Sequence, residues 1–546
     1  MESGSGALKR VQEPGPASLR EKRIHPHLGI DICGGHDDHA EGSVPCVLTC
    51  RIVEGHETTV AEHIVWIGGG IDLGGQSERP RRDTGGWRDL REPYLGARPG
   101  AFEARQGLNK LLGYRLVHAL RLRPAGPGRA VPRRYTGGMT LLSPVFLGSD
   151  LGVYSMARQF HEEYGVTSTT IATQPRGFIN DSSILSPVII GEGADDDEML
   201  GSLDVAGAAA LSRGERPVLM VNFDGLVDVV NAHRAHLEEK FTVLVPPAES
   251  VSAVADKSLL GPLARDVGLK TPAEVVIGPN DNVRETAAGL SSPYIVKPAT
   301  STDWERLDFP GKLKVYMCAT LDDVARRCDA AFEASYTGQM LLQELIPGDD
   351  TAGYVTTQYV DSAGRITVQG TARMLLAIHT PSLLGNMALG LVEWYPQIAE
   401  PVSELLRGIG YRGFATVDIK VHAETGEHYL LDINPRIGRS NYFLPIGGVH
   451  PMRAVLADVD GHDTELQRTE GSALFRIVPT ALLRRYVTDD ALRRTVRQAK
   501  RSGGSTHPLD YASDRNARRT FFRHAASINH IRNLAKVYPT PTQTSF

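Results

Sequence analysis

The sequence predicts an α/β protein with a small parallel-sheet domain, a larger central domain and a helical C-terminal extension, preceded by a largely disordered segment. Strand and helix patterns alternate over residues 139–250, which favours a parallel sheet covered by helices. Residues 251–458 hold a further series of strands and helices, which we interpret as a separate central domain. Residues 459–546 read as mainly helical at their start and end.

Residues 1–138 differ in composition from the rest of the chain. They hold 23 of the 56 glycines, and 17 arginines against 3 lysines. Such a composition buries little apolar surface against the entropy of the chain. We therefore expect this segment to be disordered or to be a gene-model extension. Met139 directly precedes an apolar strand, which makes it a candidate translation start that the mass of the native protein would test.

The first domain shows the alternation most clearly. Its predicted strands and helices are strand 140–147, a helix ending near 165, strand 169–173, helix 203–211, strand 217–222 and helix 226–237. The turn Gly148 to Gly152 contains Ser149 and Asp150, either of which can cap the following helix. We interpret the acidic cluster from Asp195 to Glu198 as an exposed loop.

The central domain begins with a helix that opens at Asp256-Lys257. The predicted elements after it are strands 294–298 and 313–317, helix 321–334, strands 340–346, 354–360 and 367–372, and helix 398–408. Two apolar runs around Asp418 and Asp432 close the domain.

Charge and composition exclude several classes of function. A net charge of −5 gives no argument for nucleic acid or membrane partners, and aspartates interrupt the arginine-rich C-terminal stretch. Five cysteines in 546 residues do not form a disulfide framework. No run of residues has the length and apolar character of a membrane helix. We expect a cytoplasmic protein, which can be an oligomer.

Three oxygen-bearing side chains near the end of the central domain predict a metal site. Asp432 and Asn434 lie two positions apart on one apolar run, so they point to the same side of a strand. If the run that contains Asp418 pairs with it, all three side chains face one another. Carboxylate and amide oxygens are the ligands that Mg²⁺ prefers. The alternative is a β-hairpin with exposed acidic residues.

Two lysines and a polar turn precede these residues in the chain. Lys257 opens a helix, Lys297 ends a buried strand, and Asp349-Asp350 follow a strand that ends in Glu344-Leu345-Ile346. Lysines neutralise phosphate as compact charges, and Mg²⁺ bridges phosphate oxygens. The order of these features predicts binding of a nucleoside triphosphate.

These motifs resemble the ATP-grasp superfamily over about residues 141–455. Within it, the chain is similar to the carboxylate–amine ligases, in particular to D-aspartate-ligase-like members. The matching segments are Lys297-Pro298, Phe309 to Tyr316, Ile346 to Asp350, Asp432 to Arg436 and Pro508 to Tyr511. The resemblance implies an α+β fold for the central domain, with a flap subdomain at about residues 270–345. Two departures stand out: the flap candidate 299–304 contains no glycine, and Asp432 replaces the longer Glu of many relatives. The number of metal ions, one or two, stays open.

The resemblance implies a role for each nucleotide-binding residue. Lys257 and Lys297 hold the α- and β-phosphates, and the alternative for each is a surface lysine. Glu344 and Ile346 offer backbone groups to the adenine edge. Asp350 or Asp349 accepts hydrogen bonds from the ribose, with a solvated turn as the alternative.

Three arginines are expected to contact the reacting groups. A planar guanidinium suits a carboxylate or an acyl-phosphate. We assign Arg436 to the transferred phosphate, Arg439 to a substrate carboxylate and Arg373 to the γ-phosphate. Each has a structural ion pair as its alternative. His379 and the other histidines lack the spacing of a zinc motif.

The resemblance implies an ATP- and Mg²⁺-dependent ligase that joins a small amino-acid carboxylate donor to an amine acceptor through an acyl-phosphate. The resemblance further implies a D-amino acid such as D-aspartate as the donor and a peptide or cell-wall precursor as the acceptor. The alternatives are an ATP-grasp peptide ligase of a natural-product pathway and a non-catalytic nucleotide-binding protein.

Overall fold

The computed structural model describes residues 141–299, residue 304 and residues 307–546, together with the backbone of one hairpin near the N-terminus. That hairpin belongs to a separate unit and pairs β1 (Cys46–Glu54) with β2 (Glu57–Val65) in antiparallel register. Apart from these two strands, the expectations for residues 1–138 lie outside the described residues. The Met139 start and residues 300–303 of the flap candidate also lie outside them.

The first sheet of the larger unit is parallel, with the strand order β5-β4-β3-β6-β7. Its strands are β3 (Leu142–Leu147), β4 (Ser168–Ala172), β5 (Leu185–Ile189), β6 (Arg216–Met220) and β7 (Thr242–Val243). Its helices are α1 (Leu151–Tyr164), α2 (Gly177–Asn180), α3 (Asp196–Ser212), α4 (Asp224–Ala232) and α5 (Arg234–Glu238). The sheet positions the carboxyl ends of β3 and β6 at the same edge, because parallel strands end on the same side.

Two acidic residues begin helices of this domain. Asp150 is the N-cap of α1, and its side chain accepts a hydrogen bond from Val153 N. Asp195 caps α3 in a capping box with Glu198. The interpretation of the 195–198 cluster as a loop was therefore wrong. Its carboxylates cap the exposed amides of a first turn and complement the helix dipole.

A smaller antiparallel sheet follows, with the order β10-β9-β11-β8. Its elements are α6 (Ala248–Ala255), α7 (Lys257–Asp266), β8 (Glu274–Ile277), α8 (Val283–Thr286), β9 (Tyr294–Pro298), β10 (Tyr316–Cys318), α9 (Leu321–Glu333) and β11 (Met340–Glu344). Trp304 lies in the core of this sheet, with its ring edge-on to Phe309, Tyr316 and Tyr336. This core is separate from the others and supports β9, the strand that carries Lys297.

The largest sheet has the order β16-β15-β12-β13-β14-β18-β19, with β17 pairing to β13. Its elements are β12 (Gly353–Val360), β13 (Ile366–Ala377), β14 (Met387–Val392), α10 (Pro396–Gly408), β15 (Gly413–Val421), β16 (His428–Asn434), α11 (Phe443–Ile446) and α12 (Pro451–Val459). The antiparallel pairs β12–β15 and β15–β16 hold the predicted metal ligands at one edge.

The segment after residue 459 contains the expected helices and also three short strands. It contributes the strands β17 (Gln467–Arg468), β18 (Ala473–Arg476) and β19 (Ser505–Thr506), besides the helices α13 (Leu483–Tyr486), α14 (Asp490–Ser502) and α15 (Ala517–Val537). Strand β18 pairs with β14, so this segment extends the largest sheet. Phe475, Leu534 and Tyr538 share one hydrophobic core with Phe146 of the first sheet.

Hydrogen bonds to a buried ion pair of the C-terminal segment join this segment to the first domain. The side chains of Asp514 and Arg519 form this pair, with exposed fractions of 0% and 3%. Asp514 Oδ2 also accepts hydrogen bonds from Tyr154 Oη at 2.9 Å and from Ser182 Oγ at 2.7 Å. The Arg519 guanidinium lies 4.5 Å from the centre of the Tyr154 ring. The charges are therefore both paired and hydrogen-bonded, as buried charges require.

None of the helices within the described residues is both long enough and apolar enough to cross a bilayer.

Candidate active site

The predicted metal ligands face one another on two paired strands. In the β15–β16 pair Asp418 lies opposite Asp432, and Thr416 lies opposite Asn434. A register shift follows Asp418, where Ile419 pairs with Leu430 and leaves Leu431 as an additional residue. The irregularity is a β-bulge, which bends a strand and re-aims its side chains. The three side chains line one cleft, as the spacing of the sequence predicts.

Hydrogen bonds orient the amide of Asn434. Its Nδ2 donates to Asp418 Oδ2 at 3.3 Å and to Thr416 O at 3.2 Å, and its Oδ1 accepts from Arg436 Nη2 at 2.9 Å. The oxygen therefore lies on the side from which Arg436 approaches. This network holds the side chain in one rotamer, so that no freedom is lost when a ligand binds.

The electrostatics of the pair fit a cation. Burial and, to a smaller extent, the negative charge of Asp432 raise the pKa of the Asp418 carboxyl to about 6, against the lowering effects of Arg436, Lys314 and Asn434. Two carboxylates held face to face are stabilised by a bound cation. No group of three or more His, Cys, Asp or Glu with a metal-binding arrangement occurs among the described residues. Two carboxylates and an amide suit Mg²⁺, which fills its shell with phosphate and water.

Two lysines face the same cleft, which has a volume of about 320 Å³. Lys297 ends β9 in the smaller sheet, and Lys314 lies in the segment before β10. The cleft therefore joins the smaller sheet to the largest one. The structure places Lys257 at the start of α7, but its side chain is not among those described. The predicted role of Lys257 stays a prediction.

Arg436 forms an ion pair with the first domain. Its Nε lies 3.0 Å from Asp224 Oδ1, and its Nη2 donates to Asp224 Oδ2 at 3.2 Å. Asp224 opens helix α4 after β6, so the edge of the parallel sheet fixes the guanidinium. The arginine also lines the cleft next to Asn434.

Arg439 is held at the same sheet edge. Its Nε lies 3.3 Å from Asp150 Oδ2, and Asp150 Oδ1 accepts a hydrogen bond from Asn222 Nδ2 at 2.9 Å. Gly152 makes this close approach possible, because a Cβ there would lie 2.9 Å from the Arg439 Cα and 2.1 Å from Asn222 Nδ2. The two arginines thus reach the cleft from between the first domain and the largest sheet.

Asp349 and Asp350 line the other part of the cleft. Asp349 Oδ1 accepts hydrogen bonds from the backbone and hydroxyl of Thr351, at 2.8 and 2.6 Å. Asp350 is buried, and its Oδ2 accepts from Ala377 N at 2.8 Å and contacts His379 Nε2 at 2.9 Å. Asp349 therefore shapes its own turn, whereas Asp350 is anchored to the end of β13.

Three other predicted site residues lie away from the lining of this cleft. The Arg373 Nε donates to Thr351 O at 2.7 Å, and its guanidinium lies 5.4 Å from the centre of the Tyr354 ring. Glu344 N donates to Ala273 O, and Ile346 is buried. In this structure Arg373 therefore contacts the Thr351 turn, and its role at the γ-phosphate stays a prediction. Backbone pairing within the sheet occupies the Glu344 amide.

The structure adds five residues that the sequence did not single out. They are Asp150, Asn222, Asp224, Lys314 and Lys420. Lys314 lies in the Phe309–Tyr316 motif that carries the resemblance, so the sequence could have identified it as a site residue. Of the other four, Lys420 lines the cleft, Asp150 and Asp224 contact the arginines that line it, and Asn222 contacts Asp150. His379, which lacked a metal spacing, also belongs to the cleft through its contact with Asp350.

Comparison with known proteins finds similar ligases. The chain is 25% identical over 406 residues to D-aspartate ligase of Enterococcus faecium, an alignment that covers 72% of this chain and 96% of the relative. It is 24% identical over 254 residues to D-alanine–D-alanine ligase of Xanthomonas axonopodis, covering 44% of this chain and 76% of that ligase. The chain is similar to the enzymes of the ATP-grasp superfamily and is a ligase of the kind that forms carbon–nitrogen bonds. Within that class it is similar to the carboxylate–amine ligases and is a homologue of D-aspartate ligase.

No family model matches the chain. Among solved structures, it is similar to the biotin carboxylase domain of Hydrogenobacter thermophilus 2-oxoglutarate carboxylase in complex with MgADP, ADP and bicarbonate. The TM-score is 0.47 at 15% identity, and the match covers 62% of this chain and 74% of that chain.

Proposed function

We propose that this ligase activates a substrate carboxylate by phosphoryl transfer from MgATP and passes the acyl group to an amine. The donor is a small amino acid such as D-aspartate, and the acceptor is a peptide or a cell-wall precursor. One observation carries the proposal: Asp418, Asp432, Asn434, Lys297 and Arg436 line a single cleft. The likeness to D-aspartate ligase supports the choice of donor.

The nucleotide would lie between the two sheets that form the cleft. Lys297 and Lys314, with Lys257 at the start of α7, would neutralise the phosphates as point charges. Asp418, Asp432 and Asn434 would hold Mg²⁺. Once bound, Mg²⁺ would offset the charge that develops on the phosphate oxygens.

The ribose and base would occupy the Asp349–Asp350 part of the cleft. Asp350 has a buried oxygen, Oδ1, that meets no hydrogen-bond donor among the described residues. A ribose hydroxyl would satisfy this oxygen, because a buried acceptor without a partner is destabilising. The backbone of Glu344 and Ile346 remains the proposed contact for the adenine edge.

In the first step, an oxygen of the donor carboxylate attacks the γ-phosphorus. The bond between that phosphorus and the β–γ bridging oxygen breaks, and ADP leaves. Arg436 would stabilise the transferred phosphoryl group, while its ion pair with Asp224 fixes the direction of the guanidinium. Arg439 would bind a second carboxylate of the donor from its position beside Asp150.

In the second step, the acceptor nitrogen attacks the acyl carbon of the acyl-phosphate. The carbon–oxygen bond to phosphate breaks, the amide forms, and the surplus proton passes to phosphate or water. The protein aligns the reactants and neutralises charge, so no side chain needs to act as a general base.

Release of ADP with a panel of donors and acceptors tests the proposal. We expect ADP release to require one amino acid, with D-aspartate, L-aspartate and D-alanine compared, together with an amine-bearing peptide. Hydroxylamine in place of the peptide should trap the activated donor as a hydroxamate. Turnover that needs two amino acids and no peptide would indicate a dipeptide ligase. Nucleotide binding with no turnover for any pair would indicate a non-catalytic protein.

A further inference from the structure

The segment that follows helix α15 folds onto the cleft. We call residues 538–546 the tail segment. Gly348 N donates to Gln543 O at 2.8 Å, and Ser545 Oγ donates to Gly348 O at 3.3 Å. Lys420 Nζ, on strand β15, donates to Thr544 O at 3.4 Å. The tail segment therefore contacts both the turn that precedes Asp350 and the strand that carries Asp418.

Internal hydrogen bonds hold the tail segment in one conformation. Thr542 N donates to Tyr538 Oη at 2.9 Å, and Phe546 N donates to Thr542 Oγ1 at 3.1 Å. Tyr486 Oη donates to Tyr538 O at 2.8 Å. Ser545 and Phe546 consequently line the same cleft as Lys297 and Asp418.

The start of the tail segment also supports Asp350. The Tyr538 ring stacks on the His379 ring, with 3.6 Å between ring centres and an angle of 7° between planes. The same imidazole contacts Asp350 Oδ2 at 2.9 Å, and both side chains are buried. Tyr538 therefore fixes His379, which in turn fixes the carboxylate.

We propose that the tail segment is a wall of the nucleotide cleft, where it positions Asp350 and the Gly348 turn against the ribose of the bound nucleotide. This inference rests on the proposed function, and it extends the nucleotide site to residues nearly 200 positions beyond the Asp349–Asp350 turn. Tyr538 and His379 are positioning residues in this arrangement. Asp350 is the group that touches the ligand, through its Oδ1 atom.

The contacts indicate that the tail segment lines the cleft and does not fill it. The hydrogen bonds of the tail segment engage Gly348 and Lys420, neither of which is proposed to hold a phosphate. A cavity of about 320 Å³ remains with the tail segment in place. The partners of the tail segment, Gly348 and Lys420, lie beside the proposed ribose position. The tail segment therefore shapes the part of the cleft that a nucleoside would contact.

Truncation after Pro541 tests the inference in the otherwise full-length chain. It removes the contacts of Gln543, Thr544, Ser545 and Phe546 but keeps the Tyr538 stack. We expect the Kd for MgADP, measured by calorimetry, to rise about tenfold, because hydrogen bonds and apolar contacts to the cleft wall are lost. The KM for ATP should rise in parallel, while kcat changes less than about threefold.

The identity of the ribose contact gives a readout that a purely structural role would not change. The intact protein should bind MgADP about tenfold more tightly than the magnesium complex of 2′,3′-dideoxy-ADP, since the latter lacks the hydroxyls that Asp350 would bind. The truncated variant should discriminate less between the two nucleotides. Phe546→Ala provides a milder version if the truncation fails to fold, and Phe521→Ala, on a ring that is 69% exposed on α15, is the matched control.

Each outcome decides a different point. An unchanged Kd and unchanged discrimination in both tail variants would overturn the inference while leaving the proposed function intact. Tighter binding after truncation would also overturn it, by showing that the tail segment competes with the nucleotide. If the intact protein binds no MgADP, the proposed function fails, and the inference fails with it.

Discussion

The two parts of the cleft are built from the chain in different ways. Asp418, Asp432 and Asn434 come from two adjacent strands joined by a short turn, and one register sets their relation. Around Asp350, the contacts come from β13, from His379 and from Tyr538 after the last helix. The first arrangement depends on local pairing, whereas the second depends on the packing of distant segments. Substitutions should therefore affect chemistry in the first part and nucleotide affinity in the second.

The largest expected effect comes from Asp432→Ala. Loss of this carboxylate removes a proposed Mg²⁺ ligand, and we expect ADP release to fall roughly 100- to 1,000-fold with the thermal transition retained. Glu424→Ala is the matched control, because this exposed residue lies in the turn between the same two strands. Near-normal turnover of Asp432→Ala would rule out the metal assignment.

Arg373→Met should have a smaller effect, of a different kind. Arg373 contacts Thr351 O and the Tyr354 ring, so its loss should loosen the Asp350 turn. We expect the KM for ATP to rise about three- to tenfold with little change in kcat, as for the loss of one hydrogen bond.

Arg407→Met, on the exposed side of α10, controls for the loss of an arginine. A large fall in kcat with unchanged KM would instead support the sequence-based assignment of Arg373 to the γ-phosphate.

The smallest effect concerns stability and pH at Lys420, which lines the cleft beside both parts. Burial lowers the pKa of Lys420 from 10.5 to about 8, although Asp350 and Asp349 act in the opposite direction. Between these two values the unfolded chain keeps a proton that the folded chain has released. The free energy of unfolding should therefore rise with pH in that window, relative to Lys420→Met.

Urea unfolding of both proteins between about pH 7 and pH 10 measures this difference. The difference should be constant below about pH 8 and should grow in favour of the wild type above it. A difference that is constant over the whole range would contradict the burial of this ammonium group.

The sequence was informative wherever function depends on short-range spacing. The alternation of strands and helices predicted the parallel sheet, and the positions of Asp432 and Asn434 predicted that their side chains share one cleft. Lys297 was recognisable because it follows a short apolar run that reads as a strand. The two-residue period of an extended strand predicts which side chains share one side.

The remaining contacts depend on tertiary structure. Asp224 and Asp150 meet Arg436 and Arg439 only because the edge of the first sheet packs against the strand that precedes these arginines. Strands β18 and β19 are short, and their pairing partner β14 lies far earlier in the chain. Contacts of this kind leave no periodic pattern, so His379 looked isolated in the sequence although it touches Asp350.

The buried pair of Asp514 and Arg519 has a consequence for exchanging parts between related ligases. Asp514 also accepts hydrogen bonds from Tyr154 and Ser182, so its partners belong to segments more than 300 residues apart. A chimera that receives only the C-terminal segment from a homologue would receive both charges of this pair together. The buried carboxylate would lose its hydroxyl donors where the two first domains differ, at a cost of about 1–3 kcal/mol. Recombination between relatives should therefore succeed more often when the first domain and the C-terminal segment are transferred together.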